Sequence, residues 1–238
     1  THCKHRVIDL LFLLTFLLFF NNCQNRETEE GFVSIFDGKS LNGWEGDSTY
    51  WSIEDGNLVG TITPETLLKH NSFIIWKEGT PEDFELKLEY RISEEGNSGI
   101  NYRSEVADDI PFALKGYQFD LDGQNHYSGQ NYEERKRTTL AYRGQSVIVE
   151  SLPDSLAEMP MSTFIKNNAW TRSTVTDSTV DLATLDIHIK DGDWNHCHLI
   201  ARGNKMQHFI NGILMSEVVD NDKQNKSTTG HIGVQVHV

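Results

Sequence analysis

Residues 205–219 read KMQHFINGILMSEVV, and this stretch decides the fold. Two strand-like runs, Lys205–Ile210 and Ile213–Val219, flank Asn211-Gly212. Asn-Gly is a preferred two-residue hairpin connection, because both residues tolerate the positive φ that matches the twist of the flanking strands. Outward from this hairpin the pattern repeats. Glu54-Asp55-Gly56-Asn57 and Arg202-Gly203-Asn204-Lys205 read as tight turns of the same kind. Period-two stretches begin at Phe32–Phe36 and continue through Trp51–Glu54, Asn57–Thr61, Phe73–Trp76, Phe84–Ile92, Gly99–Arg103 and Tyr117–Leu121. Thr139–Tyr142, Ser146–Glu150, Leu185–Ile189, Trp194–Arg202 and Gly230–Val238 extend the series. Short strands at turn-punctuated intervals, without long helical periodicity, predict an all-β fold of two packed sheets. Residues 151–183 break the rhythm with Pro153 and Pro160, which predicts a long loop with one helical turn near Ser155–Met159.

The chain has 238 residues, 37% of them hydrophobic and 10% aromatic, enough to pack a core. Its net charge is −14. Phosphate binding needs a basic footprint, so nucleic acid is excluded as an expected partner, whereas a neutral, hydroxyl-rich ligand is permitted. The cysteines Cys3, Cys23 and Cys197 sit in unrelated contexts and imply no disulfide framework.

Lys4 and Arg6 precede an apolar run from Leu10 to Phe20, followed by Asn21, Asn22 and Cys23. That is the layout of an export signal. Eleven helical residues reach only ~16 Å, about half a hydrocarbon core, which disfavours a membrane span. The cysteine after the apolar run resembles a relaxed bacterial lipobox. Residues 1–22 are therefore expected to be a lipoprotein-type signal, Cys23 the lipidated residue that anchors an exported protein to the membrane, 23–30 a tether, and 31–238 one domain.

Further motifs follow in order. They are Gly31-Phe32-Val33-Ser34-Ile35-Phe36-Asp37-Gly38-Lys39-Ser40-Leu41-Asn42-Gly43-Trp44, Trp51-Ser52-Ile53-Glu54-Asp55-Gly56-Asn57-Leu58, Asp83-Phe84-Glu85-Leu86 and Gly96-Asn97-Ser98-Gly99-Ile100. Gly116-Tyr117-Gln118-Phe119, Asp193-Trp194-Asn195, Phe209-Ile210-Asn211-Gly212 and Gly230-His231-Ile232-Gly233-Val234-Gln235 complete the set. Together they resemble the 3-keto-disaccharide hydrolase family across residues 31–238. The resemblance implies a concanavalin A-like, two-sheet antiparallel jelly-roll sandwich with a sugar on one concave face. Members of that family usually carry one more β segment after the Gly-x-Ile-Gly run, so a C-terminal truncation is expected.

Alternation along the strands nominates the site. Gln118, Asp120 and Asp122 point one way while Tyr117, Phe119 and Leu121 point the other. By the same logic Asn101 groups with Arg103, and His231 with Gln235 and His237. Matched donors and acceptors of this kind suit sugar hydroxyls, although a solvated sheet face shows the same alternation. The charged segment Tyr132–Arg137, with Tyr142-Arg143-Gly144, is a candidate to reach over that face and supply Tyr132, Glu133 and Arg143. His196 and His198 flank Cys197 in a strand with no third ligand in view, so a buried thiol is preferred to a metal site. Asp120 with Asp122 offers calcium only two carboxylates, a weak case.

If the family's activity transfers, the substrate is a 3-keto-glucoside or 3-keto-disaccharide. The ketone acidifies the C2 proton, and removing that proton lets the C1 substituent leave. Asp120 or His237 is then the base, Arg103 the oxyanion partner and Glu133 the acid, with Asn101, Gln118, Tyr132, Arg143 and Gln235 contacting substrate. Direct hydrolysis by two carboxylates is the other route, and a non-catalytic, lectin-like saccharide binder is the rival reading. The keto sugar would come from a separate sugar 3-oxidoreductase, because the chain has no nucleotide-binding fingerprint.

Overall fold

The computed structural model describes residues 29–178 and 181–238. Cys23 and the export-signal segment lie outside the described residues. In chain order the strands are β1 (Trp44–Glu45), β2 (Trp51–Glu54), β3 (Asn57–Gly60), β4 (Ser72–Trp76), β5 (Phe84–Tyr90) and β6 (Asn97–Val106). They continue with β7 (Leu114–Asp122), β8 (Asn131–Glu134), β9 (Thr138–Ala141), β10 (Gln145–Val149), β11 (Ile165–Lys166) and β12 (Ala169–Trp170). The last are β13 (Ser173–Asp177), β14 (Asn195–Arg202), β15 (Lys205–Ile210), β16 (Ile213–Asp220) and β17 (His231–Val236), with one short helix, α1 (Leu182–Asp186).

Nine strands form the larger sheet in the order β1-β4-β17-β6-β7-β8-β9-β12-β11. Six form the second, β13-β10-β16-β15-β14-β5, and β2-β3 is a separate hairpin. Ile100, Tyr102, Tyr117, Phe119 and Leu121 of the larger sheet pack with Leu199, Ala201, Met206, Ile210 and Val218 of the smaller one in a single apolar core. This is the expected two-sheet sandwich. Pairing is mainly antiparallel, but β10 runs parallel to β16 and β12 parallel to β9. The expected hairpin turns form, with Asp55, Gly56, Asn211 and Gly212 all at positive φ.

Two stretches depart from the sequence reading. Phe32–Phe36 carries no strand, and Leu185–Ile189 starts within α1, where the Asp181 side chain accepts a hydrogen bond from Ala183 N at 3.2 Å and caps the helix. Residues 151–183 are more than a loop. A 3-10 turn at Asp154–Leu156 lies near the expected helical turn, while β11 and β12 extend the larger sheet and β13 the smaller.

The outer face of the larger sheet is divided. Trp51 of the β2-β3 hairpin packs with Ile74 and Val236 and with Trp44, Leu58 and Val234, covering the β4-β17 end. The middle of the face, over β6, β7 and β8, is left for polar groups.

Beside this open area two turns lock together. Gly123 N donates to Gly96 O at 2.9 Å, and a Cβ on Gly123 would stand 1.9 Å from Ser93 O. Backbone on both sides leaves no room to give, so Gly123→Ala is expected to cost about 2 kcal/mol or more. Urea melts of the variant would check this; an unchanged midpoint would show that the turns slide apart freely.

Candidate functional site

The register of β7 against β8 places Gln118 opposite Tyr132 and Gly116 opposite Glu134. Period two sends Tyr117, Phe119 and Leu121 into the core, and Gln118, Asp120, Tyr132 and Glu134 to the outer face. There they line a cleft of about 550 Å³. Asn97 of β6 and Gln130 contribute to its wall, and His237 closes one side just beyond β17. Lys69, His70 and Arg135 bring basic groups to the rim.

Asp120 is the most constrained group in the cleft. Gln118 Nε2 donates to its Oδ1 and Gln130 Nε2 to its Oδ2, each at 2.6 Å. Desolvation pushes the carboxyl up from 3.8 to about 7, and the charges of Glu134 and Asp122 add to the rise, while the two amide hydrogen bonds oppose it. Gln118 is held in turn, because its Oε1 accepts from Gln235 Nε2 at 3.1 Å. Glu134 is also raised, chiefly by burial, against the lowering effects of a 3.2 Å hydrogen bond from Asn71 Nδ2 and of the nearby Arg135 and His237. Burial, then the charges of Glu134 and Asp120, push the Tyr132 phenol up to about 12. A carboxyl that holds its proton near neutrality, beside a second carboxyl of raised proton affinity, can exchange protons with a bound ligand.

Residues 31–238 match the family described as 3-keto-alpha-glucoside-1,2-lyase-like domain. The chain belongs to that family. A 3-keto-disaccharide hydrolase from Bacteroides thetaiotaomicron is 32% identical over 130 residues, which cover 47% of this chain and 44% of that protein. The chain thus spans less than half the length of this curated relative. A solved structure from Parabacteroides distasonis, described as a candidate glycosyl hydrolase, aligns with a TM-score of 0.51 at 18% identity, covering 86% of this chain and 87% of the other. That likeness is one of fold. A carbohydrate-binding module from Bacillus subtilis aligns with a TM-score of 0.46 at 14% identity, over 82% of this chain and 88% of that one.

Within this lyase-like domain, Asp120, Gln118, Tyr132 and His237 share the cleft, but five other sequence candidates do not line it. Arg103 breaks the alternation expected of it. It sits at φ 47° in an irregular stretch of β6, and its guanidinium turns inward to donate to Glu82 O and to Gly203 O at 2.8 Å, with Asp83 at 3.2 Å. Glu133 cannot share a face with Tyr132, its neighbour in the same strand. It points into the core, where Arg137 Nε donates to it at 2.5 Å.

Arg143 is spent on structure, pairing with Asp186 at 2.6 Å and donating to Asn125 O. Asn101 is buried and donates to Ser104 Oγ at 3.1 Å, and Gln235 is buried behind Gln118. His231 does not join His237 at the cleft either, since the register of β17 shifts between His231 and Gly233.

Glu134, Gln130 and Asn71 are the functional candidates that sequence reading missed. Glu134 was accessible in principle: once Tyr132 is placed on the wet face, the residue two further on must follow it. Asn71 reaches the site only through the long-range pairing of β4 with β17, which leaves no local signal.

The two carboxylates weighed for calcium are already engaged. Asp122 accepts the N–H groups of His126, Tyr127 and Ser128 at 2.8–2.9 Å, and both Asp120 oxygens face amide donors. Among the described residues no group of three or more His, Cys, Asp or Glu side chains is placed to hold a metal. Cys197 is free and buried, as expected of a strand thiol.

Proposed function

We propose that the cleft binds a glucoside oxidised at C3 and breaks its glycosidic bond by elimination. One observation carries the reading: Asp120 is a desolvated carboxyl at about 7, fixed by two amides in the cleft of a lyase-like family member. A group with that proton affinity is matched to removing a proton next to a ketone at neutral pH. Asp120 takes the C2 proton and the C2–H electron pair becomes the C1=C2 bond. The C1–O bond breaks with its pair on the leaving oxygen. Glu134, its proton affinity raised by burial, returns a proton to that oxygen. The rim cations Lys69 and Arg135 offset the charge that develops on the C3 oxygen, the role that Arg103 cannot fill. Water adding across C1=C2 then gives the 3-keto sugar, so the net result is hydrolysis.

The test is to incubate the purified domain with a 3-keto-glucoside and follow both the conjugated enone by ultraviolet absorbance and the released alcohol. Saccharide binding with neither product would leave a lectin-like domain instead.

The proposal extends to cellular setting. Lys4, Arg6, the Leu10–Phe20 run and Cys23 support export and lipid anchoring, and a separate sugar 3-oxidoreductase would supply the ketone. Growth on a labelled fatty acid is expected to label the full chain and not its Cys23→Ser variant. Equal labelling of both would refute the anchor.

A further inference from the structure

Next to the main cleft lies a second hollow of about 190 Å³, large enough for one hexose-sized ring. The two are adjacent, with Asn97 and Tyr127 lining both. Tyr127 is 50% exposed and borders both hollows. An exposed ring on a mobile loop would mean little, but the backbone that carries this one is held in place. Asp122 Oδ1 accepts from Tyr127 N and Ser128 N, each at 2.8 Å, and Oδ2 accepts from His126 N at 2.9 Å. Ser128 Oγ donates back to Asp122 O at 3.0 Å. Beneath the loop, Gly123 is pressed against the 93–96 turn, so the floor of the hollow is rigid. The Tyr127 ring also meets His126 edge to face, centroids 6.0 Å apart.

An aromatic face fixed beside a polar hollow is suited to the C–H face of a sugar ring, whose hydroxyls then point at the surrounding amides and carboxylates. Glu94 and Glu95 stand at the edge of the hollow, so an anionic ring would be repelled.

We propose that this hollow is the subsite for the leaving group, that its occupant is a neutral sugar ring, and that Tyr127 is its stacking platform. The inference rests on the reaction assigned to the main cleft and adds which substrates that reaction prefers: keto-disaccharides over keto-glucosides with small leaving groups. Tyr127 is assigned to holding the leaving ring and to no proton transfer, so it is a specificity residue and not a catalytic one.

Two measurements on the purified domain test it. In the first, Tyr127→Ala is expected to raise KM about tenfold for a 3-keto-disaccharide and no more than about twofold for methyl 3-keto-glucoside, with kcat little moved and Tyr127→Phe close to the parent. Equal effects on both substrates would overturn the subsite.

In the second, an unoxidised disaccharide and methyl glucoside are titrated calorimetrically into the parent and into Tyr127→Ala. The parent should favour the disaccharide about tenfold, and the variant should lose that preference. If the parent shows the preference and turns over neither keto sugar, the reaction is wrong and the subsite stands. If the disaccharide has no advantage, or keeps it without the ring, the subsite is wrong whatever the reaction proves to be.

Discussion

Asp120→Asn is expected to lower kcat on a 3-keto-glucoside about 1,000-fold while leaving KM within a few-fold. A positioned general base contributes roughly 100- to 10,000-fold, and an amide of the same shape cannot accept the C2 proton. Gln118 can go on donating to the Asn oxygen while Gln130 turns its amide to accept from the Asn nitrogen, so the cleft should survive the change, and a thermal melt of the variant would verify that. The pH profile gives an independent reading. The carboxyl, raised from 3.8 to about 7 by desolvation, is active only when ionised. kcat/KM should therefore climb about tenfold per pH unit below about 7. A profile flat from pH 5 to 8, or a variant retaining a tenth of parental turnover, would remove Asp120 from the role of base.

Arg137→Met is expected to cost about 3–5 kcal/mol of folding stability, the usual loss when one partner of a buried ion pair is removed. Arg137 is fully buried between the sheets and every one of its guanidinium donors is used. Nε and Nη2 reach the two oxygens of Glu133 at 2.5 and 3.0 Å, Nη1 and Nη2 the two of Asp220 at 3.2 and 2.6 Å, and Nη1 also Asp222 at 3.2 Å. Tyr117 Oη donates to Asp220 as well, at 2.5 Å. Without the arginine, three buried carboxylates lose their main counter-charge, with only Lys136 Nζ, 3.2 Å from Glu133, remaining close to one of them.

Lysine in place of Arg137 should recover little, since an ammonium offers three donors to a nest shaped for a planar five. At about 2–4 °C per kcal/mol for a domain of this size, the methionine variant should melt roughly 6–20 °C below the parent. A shift under 2 °C would mean that the cluster contributes no net stability.

The same cluster explains where sequence reading stopped. Alternation along β7 correctly separated Gln118 and Asp120 from Tyr117 and Phe119, because a regular strand has one rule and β7 obeys it. The Asn-Gly and Gly-Asn turns were legible for a similar reason: positive φ selects few residue types. Polarity misled at Glu133, Arg103 and Arg143. Charged side chains were assigned to the ligand face because burial is costly for them, yet Arg103 and Arg143 are held by Gly203 and Asp186, distant in sequence, and Glu133 by Arg137, which is itself tied to the distant Asp220. Those partnerships depend on strand order. So does the approach of Asn71 to Glu134, 63 residues apart. Pattern within a strand is local information, whereas which strands become neighbours is not.

Strand order also bears on how the chain acquires its shape. β17, the last strand of the described residues, lies between β4 and β6 and not at a margin. Until residues 231–236 emerge from the ribosome, β4 and β6 each hold a row of unsatisfied amides toward a gap lined by Phe73, Ile75 and Ile100. Such a gap can recruit a foreign segment as readily as the proper one. Closing it joins contacts more than a hundred residues apart, which makes that step slow and sensitive to crowding by sister chains. Production at low temperature, or with a holdase present, should favour soluble protein over inclusion bodies.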